Sequence, residues 1–233
     1  MSRTFQFKQF SIDDSLCGMK VGVDGVLLGA WTQFNKPHNI LDVGCGSGLI
    51  TLQMAQRFPY ANLHALDIDG NAIKSTRLNF SNSSFQNKLQ LYHSNFLEQD
   101  FKSGFDAIIC NPPFFAGEQN EDTQRSYARE AVHLPLVAFF EKCLQSLANQ
   151  GQIALIYPSE KNKEVTHLAL QNQLYLHQKC EVYGNYSVNS KRTLYLFGKQ
   201  IDKTHKETLV IEEKRGVYTP EYRKLLVDFY LKF

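Results

Sequence analysis

Three short stretches of this chain bring together residue types that can do chemistry. At Asn111-Pro112-Pro113-Phe114-Phe115, the apolar run Ala107-Ile108-Ile109-Cys110 stops at an amide, two prolines and two aromatic rings. Proline removes a backbone donor and fixes φ, so this loop is stiff and its carbonyls stay free to accept. An acceptor amide, a free carbonyl and an aromatic face suit a flat group that bears an amine, although Asn-Pro also marks ordinary strand exits. At Asp42-Val43-Gly44-Cys45-Gly46-Ser47-Gly48, three glycines let the backbone bend and approach a ligand where a Cβ would clash. The spacing is not the G-x-G-x-x-G of dinucleotide sites. A carboxylate before the first glycine would repel pyrophosphate and suits a cation, such as a sulfonium carrying an α-ammonium. The third stretch ends in Asp67, about 20 residues after the glycines, where an acid hydrogen-bonds ribose hydroxyls in doubly wound folds.

These groups need elements to hold them. Strand 39–43 enters the glycine turn, and an apolar-periodic helix leaves it. Strand 63–67 is followed by a helix over about 71–80, with Asp69 placed to cap it. Strand 89–93 delivers Asn95, whose amide can donate to and accept from an adenine edge; His93 on that strand is read as a packing residue. Strand 105–110 carries the Asn-Pro-Pro-Phe-Phe loop. Residues 116–132 form a polar insertion, either a lid over the site or a plain surface loop, in which Arg125 and Arg129 are candidate polyanion contacts. A helix over 134–149 is expected to end at Gly151 as its C′ glycine. Strand 152–157 and helix 159–173 follow. Strands 175–183 and 192–198 are joined too closely for a crossover and are expected to pair antiparallel. The alternation predicts an α/β fold: a doubly wound, mostly parallel sheet with an antiparallel last core strand and helices on both faces.

The flanks are less regular. Residues 1–20 suggest a short strand or hairpin. Val26, Leu27, Ala30 and Trp31 fall at helical spacing behind Asp24, which is placed to cap that helix and turn its exposed amides toward a ligand carboxylate. Thr219 followed by Pro220 marks a further helix start.

With 233 residues, 43% hydrophobic and 21% charged, the chain suits one large domain with a full core. No run is apolar enough for a membrane span or secretion signal, so a cytoplasmic protein is expected. The five cysteines have no C-x-x-C spacing, so neither disulfides nor a metal site is expected. Residues 1–183 hold 15 Lys and Arg against 17 Asp and Glu, whereas residues 184–233 hold 10 against 6. A basic C-terminal part is compatible with a polyanionic partner.

In this order, Asp-x-Gly-x-Gly-x-Gly, an acid after the second strand, a polar residue after the third and Asn-Pro-Pro-Phe after the fourth resemble class I S-adenosylmethionine-dependent methyltransferases. The last motif resembles those that methylate an exocyclic or amide nitrogen. The flanks Phe7-Lys8-Gln9-Phe10, Met19 to Trp31, Tyr218-Thr219-Pro220-Glu221-Tyr222 and Asp228-Phe229-Tyr230-Leu231-Lys232 are similar to the bacterial valine-tRNA adenine-N6 methyltransferases. The chain departs from that pattern twice: Val23 stands where Thr is usual, and Asn95 where many relatives have Asp.

The resemblance implies one domain over 1–233, with an N-terminal cap (1–38), a Rossmann-like core (39–200) and a C-terminal extension (201–233). It implies S-adenosylmethionine as cofactor and tRNA as partner, for a monomer without membrane or metal. Asn111, Pro112 and Phe114 become the catalytic set. Lys20, Asp24, Asp42, Gly44, Gly46, Gly48, Asp67, Asn95 and Asn111 become cofactor contacts. Pro113, Phe114, Phe115, Arg125 and Arg129 become substrate contacts. A guanine-N2 rRNA methyltransferase, a release-factor glutamine methyltransferase and a non-catalytic RNA-binding module are the competing readings.

Overall fold

The strand that enters the glycine turn lies inside the sheet, third from one edge, and the chain reverses direction around it. The structure is a computed structural model that describes residues 4–101, 104–113 and 134–233. In chain order the strands are β1 (Thr4–Gln6), β2 (Ser11–Asp13), β3 (Asn39–Val43), β4 (Asn62–Asp67), β5 (Leu89–His93) and β6 (Phe105–Cys110). They continue with β7 (Leu147–Pro158), β8 (Tyr175–Asn185), β9 (Arg192–Gly198), β10 (His205–Lys214) and β11 (Val217–Tyr218). The helices are α1 (Val23–Trp31), α2 (Leu49–Arg57), α3 (Gly70–Ser81), α4 (Leu136–Ser146), α5 (Asn162–Gln171) and α6 (Pro220–Leu226).

β1 and β2 form the expected hairpin, and the other strands form one sheet in the order β11-β10-β8-β9-β7-β6-β3-β4-β5. β5, β4, β3, β6 and β7 run parallel to one another. β9, the last strand of the expected core, is antiparallel to both β7 and β8. Beyond it, β10 extends the sheet parallel to β8 and β11 turns back against β10. The chain moves from β3 outward to β4 and β5, then returns to the other side of β3 as β6. The carboxyl ends of β3 and β6 thus flank a topological switch point, where open α/β sheets bind ligands.

Both sheet faces are covered, and the strands read as near-continuous apolar runs for that reason. Ile40, Ala107, Ile109, Ala154, Ile156, Leu194 and Leu196 face a layer that includes α1, α2, α6 and the chain termini. Their neighbours Leu41, Val43, Ile108, Cys110, Ile153, Leu155, Tyr195 and Phe197 face α4 and α5. Among the described residues, no helix is long and apolar enough to cross a membrane.

Two local expectations are corrected. Gly151 does not end α4, because the helix stops at Ser146 and Leu147 already pairs with Phe105. The strand then bulges before Gln152 meets Ala107. A Cβ on Gly151 would lie 2.7 Å from Leu147 Cδ2 and 3.0 Å from the carbonyls of Ala148 and Phe105, so the glycine permits close approach inside the bulge. Asp24 does not cap α1 either. Gly22 holds the N-cap position without a side-chain hydrogen bond, and Asp24 lies in the first turn. Asp69 and Thr219 do cap α3 and α6, accepting from the backbone N–H of Asn71 and Tyr222.

Candidate active site

The switch point is built by two loops that face each other across paired strands. Val43 is in register with Cys110, so the glycine turn after β3 lies opposite Asn111-Pro112-Pro113 after β6. Gly44, Gly46 and Gly48 all take left-handed φ values, of 71°, 55° and 80°. Above Gly44 and Gly46 an added Cβ would meet nothing within 4 Å, so that side of the turn is open. At Gly48 a Cβ would lie 2.8 Å from Phe80 Cε1, so the third glycine serves packing on α3. A non-glycine residue at any of the three would be strained.

Two carboxylates support the turn from below. Asp67 Oδ2 accepts from the Gly46 N–H at 2.8 Å, and its Oδ1 accepts from Asp69 N at 2.9 Å. Burial pushes the Asp67 carboxyl up, partly offset by those backbone donors. Asp42 is deeper, and Thr51 Oγ1 donates to its Oδ2 at 2.6 Å. Its Oδ1 is buried and has no hydrogen-bond partner among the described residues. Burial, reinforced by the charge of Asp67, raises the Asp42 carboxyl to about 7 against the pull of the Thr51 hydroxyl. Across the crevice Asn111 Oδ1 is likewise buried without a partner. Gly25 of α1 packs against that side chain, its ideal Cβ position 3.6 Å from Asn111 Nδ2.

An open glycine turn, a half-satisfied acid and an unpaired amide oxygen form an acceptor-rich crevice. S-adenosylmethionine fits this donor set: its cationic end matches the carboxylate beneath the turn, and its ribose hydroxyls match Asp67. The crevice thus gathers Asp42, Gly44, Gly46, Gly48, Asp67, Asn111, Pro112 and Pro113 as the motifs predict.

Other predicted contacts have hydrogen-bond partners within the protein. Asp24 Oδ2 accepts from Arg192 Nε at 2.8 Å, an ion pair between α1 and the first residue of β9. Lys20 Nζ donates to the carbonyls of Asp14 and Ser15, at 2.6 and 3.2 Å, closing a loop before α1. Asn95 folds into its own turn, where Oδ1 accepts from Leu97 N and Nδ2 donates to Glu98 Oε1. His93 is exposed, with Nε2 3.2 Å from the Ile68 carbonyl. Phe114, Phe115, Arg125 and Arg129 lie outside the described residues.

Three supporting residues carry no sequence signal. Thr76 Oγ1 donates to the Gly46 carbonyl at 2.6 Å, and Asn79 Nδ2 to the Ser47 carbonyl at 2.8 Å, so α3 pins the glycine turn from outside. Asn79 Nδ2 also donates to the Asp13 carbonyl, its Oδ1 accepts from Asp13 N, and Ser75 Oγ donates to the same carbonyl, tying the N-terminal segment to that helix. Thr51, Thr76 and Asn79 are ordinary helix residues in isolation, and only long-range contact reveals their role.

Comparison with known proteins decides the family. A family model described as methyltransferase small domain matches residues 25–189. A tRNA1(Val) (adenine(37)-N6)-methyltransferase of Vibrio vulnificus is 39% identical over 232 residues, covering 99% of this chain and 97% of the relative. The chain belongs to the tRNA1(Val) (adenine(37)-N6)-methyltransferase family. Another member, from Flavobacterium psychrophilum, is 38% identical over 232 residues, covering 98% of this chain and 99% of its own.

Among solved structures, one from Agrobacterium tumefaciens described as a predicted O-methyltransferase matches with a TM-score of 0.66 at 15% identity, over 88% of this chain and 96% of its own. Geranyl diphosphate methyltransferase in complex with GPP and sinefungin matches with a TM-score of 0.56 at 11% identity, over 75% and 76% of the two chains. At such identities the likeness establishes the class I methyltransferase fold alone. For this member of the tRNA adenine-N6 methyltransferase family, the crevice at the switch point is where the motif residues meet.

Proposed function

We infer that this protein transfers a methyl group from S-adenosylmethionine to the N6 amine of adenosine 37 in tRNA1(Val). One observation carries the assignment of the site: Asn111 Oδ1 stands buried, with no partner among the described residues, at the end of β6 and across the crevice from the glycine turn. A buried acceptor without a donor is costly, and an exocyclic amine supplies that donor. Full-length similarity to the tRNA1(Val) enzymes of Vibrio and Flavobacterium supports the substrate.

When bound, S-adenosylmethionine supplies an electrophilic methyl group. Asp42 and the Gly44–Gly48 backbone hold its methionine end, and Asp67 holds the ribose. Asn111 Oδ1 and the Pro112 carbonyl accept the two N–H bonds of the target amine. That amine's lone pair is delocalised into the purine, and accepting both hydrogens favours the pyramidal, nucleophilic form. No strong base is required before attack, because the nitrogen becomes acidic only once methylated. Phe114 would stack on the adenine, which must leave the loop's own stack to enter. Positioning and charge placement then supply most of the rate. The N-terminal segment and the C-terminal extension both pack onto the sheet's α1–α2 layer, in support of one methyltransferase domain.

The test is methyl transfer from labelled S-adenosylmethionine to tRNA from cells lacking this gene, with nucleosides identified by mass spectrometry. N6-methyladenosine at position 37 is the expected product. Methylguanosine would move the specificity to another base. Methylation of protein but not RNA would overturn the tRNA reading.

A further inference from the structure

The edge of the sheet that carries Asn111 continues past β7 to the turn between β8 and β9. Pro158 at the end of β7 is in register with Arg192 at the start of β9, which is in register with Val182 of β8. The turn over residues 186–191 therefore projects from the same edge as the Asn-Pro-Pro loop. Asn111 follows Cys110 and is therefore level with Leu194 of β9 and Cys180 of β8. With about 4.8 Å between strands and about 3.3 Å per residue, Lys191 lies roughly 14 Å from Asn111 and Tyr186 roughly 25 Å. The acids beneath the glycine turn lie on the opposite side, on β3 and β4. A substrate whose target base sits at Asn111 is thus directed over β7, β9 and β8.

The turn's composition fits a nucleic acid. Residues 182–201 contain Lys191, Arg192 and Lys199 and no carboxylate. Tyr186, at the tip, is 69% exposed, and Val188 beside it is also exposed. The turn is held in shape: Asn185 Oδ1 accepts from Ser187 N at 2.8 Å, and Ser159 N donates to the Lys191 carbonyl at 3.1 Å. Ser159 Oγ lies 2.7 Å from Ser190 Oγ and 2.9 Å from Thr193 Oγ1, fastening the turn to the end of β7. Arg192 is engaged by Asp24, whereas Lys191 is exposed and has no ion-pair partner among the described residues. In the neighbouring turn, Glu212 and Glu213 offset Lys214 and Arg215 in charge.

We propose that the β8–β9 turn is an RNA platform on which Tyr186 stacks a nucleotide of the same tRNA a few positions from the target adenosine while Lys191, nearer the target, contacts a phosphate between them. This rests on the tRNA reading above. Bases of a single-stranded loop are partly unstacked, and an exposed phenol ring at this edge can cover one of them.

Steady-state methylation of unmodified tRNA, with cofactor affinity measured by calorimetry, tests it. Y186A should raise KM for tRNA roughly five- to a hundredfold, the range of one lost base–aromatic stack, with kcat and cofactor affinity within about twofold. Y186F should restore the wild-type KM, since the ring rather than the hydroxyl does the stacking. K191A should lower the slope of log affinity against log salt by about 0.7, the loss of one phosphate contact on a single strand. An unchanged KM in Y186A, or no rescue by Y186F, would overturn the proposal. So would a KM that responds instead to K74A/R77A, the exposed cations of α3. If the wild-type protein methylates no RNA, the tRNA reading itself fails, which is a separate outcome from wild-type activity with an indifferent Tyr186.

Discussion

Asn111 Oδ1 and Asp42 Oδ1 are both buried and both lack a partner among the described residues, yet different physics governs them. The amide is neutral at every pH, so its unpaired oxygen is a standing acceptor for an incoming amine. N111A should reduce turnover at least about a hundredfold, in the range of losing one positioned transition-state contact. Cofactor affinity, measured by calorimetry, should stay within a few fold; loss of cofactor binding would remove Asn111 from its assigned role. The carboxylate titrates. Burial raises Asp42 from 3.8 to about 7, so in the ligand-free protein the protonated form is favoured by folding. That stability is fully present below the ordinary carboxylate pKa and is lost as pH rises toward 7. D42N should therefore be more stable than wild type at about pH 8, by at most about 4 kcal/mol, and not at about pH 4. The same variant should bind S-adenosylmethionine more weakly, because the anion that matches its cationic end is gone. Thermal melts at both pH values, with and without cofactor, check both signs.

At the scale of elements, the site depends on how α1 and α2 cross behind it. Gly29 of α1 packs on Gln53 of α2, whose Nε2 donates to the Val26 carbonyl at 3.1 Å. A Cβ at Gly29 would fall 2.1 Å from Gln53 Oε1 and 2.5 Å from its Cδ, inside a buried contact. G29A should destabilise the protein by about 1–3 kcal/mol in denaturant titrations, the usual cost of overpacking. A neutral result would mean that Gln53 repacks freely. Arg57 of α2 donates to the carbonyls of Gly29 and Thr32, so the two helices are held at both ends of α1's second half. α1 also carries Gly25, the wall behind Asn111, and its first turn is tied to β9 through Asp24 and Arg192. The Asn111 side chain is thus backed by a helix pair that the Asn-Pro-Pro motif does not contain.

At the scale of the whole molecule, the two ends of the chain close on each other. Phe7 bridges to Tyr230, Lys8 N donates to the Phe229 carbonyl at 2.9 Å, and Lys8 Nζ donates to the Val227 and Phe233 carbonyls at 2.5 and 3.2 Å. Beside this junction Phe7 stacks on Phe10 and Tyr230, and Phe5 packs at a tilt against Phe7 and Tyr230. Phe229 is buried in the same core cluster as α1 and α2. F229A should cost about 3–5 kcal/mol of stability, as buried Phe-to-Ala changes do. Because Asp13 of the N-terminal segment is bound to α3, it should also raise KM for the cofactor. A stability loss with unchanged cofactor KM would show that the clasp does not reach the site.

The strand–glycine turn–helix, Asp67 about 20 residues on, the Asn-Pro-Pro loop and the Asp69 and Thr219 caps were legible from the sequence alone. Each rests on a local rule: left-handed φ demands glycine, proline fixes φ, and an N-cap side chain reaches two or three residues ahead. The partner of Asp24, the purpose of Gly151 and the place of β10 were decided only by tertiary structure. Asp24 satisfies every local rule for a cap, but Arg192, 168 residues away, lies close enough to hold it instead. Gly151 follows a helix as a C′ glycine would, yet Leu147 is drawn into the sheet by Phe105 before the helix can reach it. Residues 205–214 show too little apolar pattern to declare a strand, and they become one because β8 offers an open edge whose unpaired backbone groups need partners. Local geometry is written in neighbouring residues, whereas pairings across the chain depend on what the folded sheet brings within reach.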